Sequence, residues 1–105
     1  MELHRFADQR APNRAYVEFL RTRSLSAGVY VLPAGATDHQ QPHGEEEVYF
    51  VVSGRGRFTA GERDEAVAPG DIIFVEAGEP HRFHTIVETL ELLVMFAPAE
   101  GTATA

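Results

Sequence analysis

The chain has 105 residues, 44% of them hydrophobic, with 9 basic and 16 acidic side chains and a formal net charge of -7. That length fits one domain with a packed core and leaves no room for two. The acid excess repels phosphate backbones, the absence of cysteine excludes disulfides, zinc–thiolate sites and thiol nucleophiles, and no apolar run approaches the ~20 residues that span a bilayer.

Nucleic acid and membrane are therefore not expected partners. The N-terminus Met1-Glu-Leu-His-Arg-Phe-Ala-Asp has no apolar signal region, so a cytoplasmic location is expected. Along the chain, Gly and Pro recur at short intervals, and Val, Ile, Phe and Tyr fill the gaps. That rhythm predicts many short strands in a sandwich or barrel. The first dozen residues leave a short edge strand open. Strands follow near 16–22, 26–32, 45–53, 56–60, 63–68, 71–75, 81–87 and 90–97. Gly54 and Gly56 are expected to flank a hairpin turn, and Pro69-Gly70-Asp71 to form a tight turn. No stretch holds a helical period over ~11 residues. The small, polar tail from Pro98 to Ala105 is expected to be flexible. Glu47–Val52 and Leu90–Phe96 are apolar on both faces. One face can line a barrel; the other calls for a cover, and a homodimer is the expected one.

The histidines carry the chemistry. Side chains two apart on a strand share a face, so Gln41, His43 and Glu47 converge if Asp38–Glu47 is extended, and Tyr49 and Val51 continue inward. His81 opens a later strand after Gly78-Glu-Pro80 and, with Phe83 and Thr85, can line the same interior. Two imidazoles, a carboxylate and an amide oxygen suit a divalent transition ion such as Fe, Mn, Zn or Ni, with positions left open for water, substrate or dioxygen. His39 shares the parity of Gln41 and is its rival as fourth donor. His4 and His84 read as ordinary histidines, Glu45 and Glu46 as a solvated face, and Phe58, Phe74, Phe83 and Phe96 as core or pocket wall. Tyr49 is a candidate donor behind the metal ligands.

At these residues the sequence resembles a small single-domain cupin. The first cupin motif, G(X)5HXH(X)3–4E(X)6G, is followed by Gly35, Gln41, His43, Glu47 and Gly54, with Gln in place of the first His. The second, G(X)5PXG(X)2H(X)3N, is followed in spacing by Gly70, Gly78 and His81, with Glu76 for Pro and Thr85 for Asn. The resemblance implies an all-β, double-stranded β-helix (jelly-roll) barrel over residues 25–97. Residues 1–24 would then add N-terminal strands completing the barrel or a dimer interface. It also implies a metal centre at Gln41, His43, Glu47 and His81.

Cupins host many activities, so fold does not fix function. The expectation is a metal-dependent enzyme, dioxygenase-like or an isomerase, acting on a small organic molecule. The alternative is a non-catalytic small-molecule-binding module, with or without metal. No phosphate-loop or nucleophile-elbow pattern supports kinase or hydrolase chemistry.

Overall fold

The computed structural model describes residues 1–40 and 42–103. A single 3-10 turn, Phe6–Gln9, precedes six strands: β1 Tyr16–Arg21, β2 Ser26–Leu32, β3 Glu46–Ala60, β4 Arg63–Val67, β5 Ile72–Val75 and β6 His81–Ala97. The order across the sheet is β1-β2-β6-β3-β4, with β5 also paired to β3, and every pairing is antiparallel. The turn at Phe6–Gln9 takes the place where an edge strand was left open. Among the described residues no helix is long and apolar enough to cross a membrane.

Two long bent strands make the barrel. The first half of β3, Glu46–Ser53, pairs with Glu91–Ala97 of β6, whereas Arg55–Ala60 pairs with His81–Glu88. β2 and β5 extend the first half and β4 extends the second. Each long strand thus serves two walls, which close on a core that includes Tyr49, Val51, Phe58, Phe83, Leu92 and Val94.

This corrects the expected hairpin at Gly54 and Gly56, and the expected strand break near residue 88. Both strands run on through bulges, with register shifts between Val51 and Arg57. Gly54 sits at φ +95°, and a Cβ there would lie 2.0 Å from the Thr89 carbonyl oxygen. Only glycine lets the strands cross so closely while bending. On the β6 side, His84 opposes Arg57 and Glu88 opposes Arg55, so Thr85-Ile86-Val87 bulges out. Thr85 was expected inside with His81; it is exposed, because the bulge breaks the alternation. The turn at Pro69-Gly70 closes as expected, with Asp71 N donating to the Ala68 carbonyl and Ala68 N to Asp71 Oδ2.

Alternation holds elsewhere. Glu47, Tyr49, Val51, Leu90, Leu92, Val94 and Phe96 point inward. Outside, register places Phe74, Val48 and Met95 in one row and Ile72, Phe50 and Leu93 in the next. Phe74 is 55% exposed and Ile72 72%. Phe74 therefore belongs to this outer face and not to the core. After β6, the segment through Ala103 lies back on the barrel: Ala99 is buried, Glu100 N donates to Ser26 Oγ (2.9 Å), and Ala103 N donates to Glu45 Oε2 (3.0 Å).

Candidate metal centre

Three donors meet inside one end of the barrel. The ligating atoms of His43, Glu47 and His81 all lie within 4.8 Å of one another. Glu47 is the second residue of β3, its side chain turned inward by the same parity as Tyr49. His81 is the first residue of β6, and His43 comes from the loop between β2 and β3. A backbone hydrogen bond from Gly78 N to the His43 carbonyl (2.7 Å) staples that loop to the turn feeding His81. The His43 ring stands edge-on to Phe96 (5.1 Å, 82°) and to His81 (5.5 Å, 65°).

The electrostatics of the cluster centre on Glu47, which is 1% exposed. His81 Nε2 lies 3.0 Å and His43 Nδ1 3.8 Å from Oε1, yet neither carboxylate oxygen has an aligned hydrogen-bond partner among the described residues. The Nε2 atom instead lies 3.2 Å from the Tyr49 hydroxyl. His81 Nδ1 donates to the Glu79 carbonyl (2.8 Å), which fixes the tautomer and turns the Nε2 lone pair toward Glu47. Burial is the largest influence on the His81 pKa and lowers it, but the Glu47 carboxylate and the Glu79 carbonyl together outweigh burial and the net shift is upward. A buried carboxylate without hydrogen bonds is expensive unless a cation faces it, and an N, N, O donor set suits a divalent transition ion. The residues present therefore fit a metal.

Behind the cluster runs a hydrogen-bonded chain. Tyr49 donates to Gln40 Oε1 (2.7 Å), and Gln40 Nε2 donates to Asp38 Oδ2 (2.8 Å). Asp38, itself buried, also accepts from Tyr30 Oη (2.7 Å), Gln40 N (3.2 Å) and Phe83 N (2.9 Å). These bonds pin the loop carrying His43 onto β6. Burial, first of all, raises the pKa of Tyr30 and Tyr49; nearby carboxylates add to it, Asp38 for Tyr30 and Glu47 for Tyr49. Both phenols stay protonated, and each commits its one proton to this chain, Tyr30 to Asp38 and Tyr49 to Gln40.

Next to the cluster opens a cavity of about 470 Å³ lined by Tyr16, Tyr30, His39, His43, Glu47, Phe96 and Glu100, among others. A second hollow, about 550 Å³, lies between β4 and β5 beside Arg63, Glu65 and Phe74, away from the grouped donors.

The structure brings together three of the four expected ligands. Gln41 lies outside the described residues. His39 is exposed at the cavity wall and is not part of the cluster. Glu45, read as solvated, is buried against the backbone of Ala103. Asp38, Tyr30 and Glu100 were not singled out, and neither was the part Gln40 plays between Tyr49 and Asp38. For Tyr30, its inward parity with Leu32 was the available signal. The other three lie in loops, where periodicity is silent.

Barrel and cluster together define a small jelly-roll protein with a three-donor site at one open end. The chain belongs to the cupin domain family, whose pattern matches residues 28–96. It is 50% identical over 95 residues to an uncharacterized protein of Streptomyces coelicolor, covering 90% of each chain. It is 34% identical to a dimethylsulfoniopropionate lyase of Ruegeria pomeroyi over 70% of this chain and 37% of that one. It is 33% identical to an oxalate-binding protein of Thermotoga maritima over 61% of this chain and 54% of that one. The chain thus spans only about a third of the lyase and half of the oxalate-binding protein. A solved Thermus thermophilus structure superimposes with a TM-score of 0.80 at 25% identity, covering 94% of this chain and 99% of that one.

Proposed function

We propose that this cupin is a metal-dependent enzyme acting on a small organic acid in the cavity beside His43, Glu47 and His81. Those three residues hold the metal, with Gln41 as the fourth donor inferred from motif spacing. The observation that carries the reading is the buried, unpartnered Glu47 carboxylate between two imidazoles. A bound Fe, Mn, Zn or Ni ion supplies Lewis acidity and open positions for a chelating ligand. The chain's own residues do the rest. Glu79 holds the His81 tautomer, Phe96 braces the His43 ring, and Tyr30 and Tyr49 hold the loop before His43 by donating to Asp38 and Gln40. Leu32, Val94 and Phe96 wall the site against water.

An organic acid is favoured because the two relatives with informative names are named for carboxylates, propionate and oxalate. Dioxygenase-like chemistry at the open positions is the reaction to screen first. The oxalate-binding relative supports a second reading, a carboxylate binder without turnover. Elemental analysis tests the shared premise. Wild type reconstituted with Fe, Mn, Ni or Zn is expected to hold close to one ion per chain, and Glu47→Gln below ~0.1 with its fold intact. Wild type that itself stays below that level overturns the enzyme reading and the metal-bound form of the binder. Oxygen uptake and product formation by loaded wild type, absent in Glu47→Gln, separate the enzyme from the binder.

We further propose that a second copy covers the outer rows of Phe74, Val48 and Met95 and of Ile72, Phe50 and Leu93. Support comes from their contiguity in the sheet and the exposure of Phe74 and Ile72.

A further inference from the structure

Two kinds of group share the lining of the cavity. His43 and Glu47 belong to the metal cluster. Glu100 is a further carboxylate, carried in by the strap that follows β6. The strap is held by its backbone: Glu100 N donates to Ser26 Oγ, and Arg21 Nη2 donates to the Glu100 carbonyl (2.8 Å). Arg21 spends its remaining hydrogen bonds on the Glu18 carboxylate (3.0 and 2.9 Å). The Glu100 side chain is left without a cation partner among the described residues.

Among the described residues no Lys or Arg lines this cavity. The rings of Tyr16, Tyr30 and Phe96 line the same cavity, with Tyr16 edge-on to both others at 6.3 Å. Among the described residues the buried Tyr16 hydroxyl has no hydrogen-bond partner. A carboxylate flanked by aromatic rings and lacking its own counter-ion is a setting that attracts an organic cation.

We propose that the cavity selects a small zwitterion. Its carboxylate turns toward the metal cluster, and its ammonium-type cation lies against Glu100 and the rings of Tyr16, Tyr30 and Phe96. Glu100 is then the specificity-determining residue, and the strap is what delivers it. This inference rests on the metal reading above.

Two isosteric acids isolate the charge. Glycine betaine carries a trimethylammonium group where 3,3-dimethylbutanoate carries a tert-butyl group. Both are titrated by calorimetry into zinc-loaded and zinc-free protein at neutral pH. Zinc-loaded wild type is expected to bind betaine about tenfold more tightly than 3,3-dimethylbutanoate, which lacks the cationic group. Glu100→Gln should bring the pair within about twofold, leaving 3,3-dimethylbutanoate unchanged, and Glu100→Lys should turn the preference toward succinate. Thermal unfolding of both variants checks the fold.

Equal affinity of the two acids for wild type overturns the inference, as does a betaine preference that persists in Glu100→Gln. The metal reading fails separately: 3,3-dimethylbutanoate would then bind no better with zinc than without, and the inference falls with it. Zinc-dependent binding of both acids with no betaine preference leaves the metal reading standing and removes only the zwitterion.

Discussion

Thr85 holds φ at +49°, in the left-handed region where a β-branched side chain is strained. It stands where the second cupin motif has Asn, a residue that tolerates that region. Thr85→Asn is expected to stabilise the fold by about 1 kcal/mol, read as a higher guanidinium midpoint at unchanged slope. His81 makes a pH-dependent contribution. Its pKa is raised on folding, because Glu47 and Glu79 outweigh burial. In metal-free protein its stabilising effect is therefore full below the unfolded value of about 6.5 and is lost as pH rises through the folded value. The stability advantage of metal-free wild type over His81→Gln should shrink across that window in paired thermal melts. Metal needs the neutral ring, so metal affinity should rise over the same window. At this scale the grouping of His43, Glu47 and His81 was legible because motif spacing marks all three and strand alternation marks Glu47 and His81. Asp38, Gln40 and Glu100 were not. Their roles come from loops whose course is set by hydrogen bonds to Tyr30, Phe83 and Ser26, residues distant in sequence.

The elements show a similar division. The eight expected strand segments and the Pro69-Gly70 turn follow from composition and turn chemistry. The joining of 45–53 to 56–60, and of 81–87 to 90–97, did not. A glycine pair within an apolar run reads equally as a hairpin or as a bulge, and the partner strand decides between them. Here the partner is β6, whose Thr89 carbonyl crosses Gly54 so closely that a side chain has no room. Gly54→Ala is expected to destabilise by at least about 3 kcal/mol, through the clash and the positive φ together, measured by chemical denaturation. Gly35, also at positive φ but with open space around a Cβ, should lose about 1 kcal/mol or less on the same change. That contrast separates crowding from backbone strain.

For the molecule as a whole, the barrel was legible from two-faced apolar strands, and so was the need to cover an outer face. Which residues form that face was not, since Phe74, which does border the hollow between β4 and β5, was not assigned to the outer face. If a second copy covers it, sedimentation should give a dimer for wild type and a monomer for Phe74→Glu, with metal content unchanged; a monomeric wild type removes the proposal. The strap has a practical consequence for all these measurements. Ala103 packs against Gly44, the neighbour of His43, with Ala103 Cβ 3.1 Å from where a Gly44 Cβ would stand. A polyhistidine purification tag appended after Ala105 would begin within a few residues of the cavity mouth. It would bring six extra imidazoles to the ion being counted and strain the strap that seats Glu100. The exposed stretch from Met1 to Arg5 lies outside the cavity lining, so a cleavable tag belongs there.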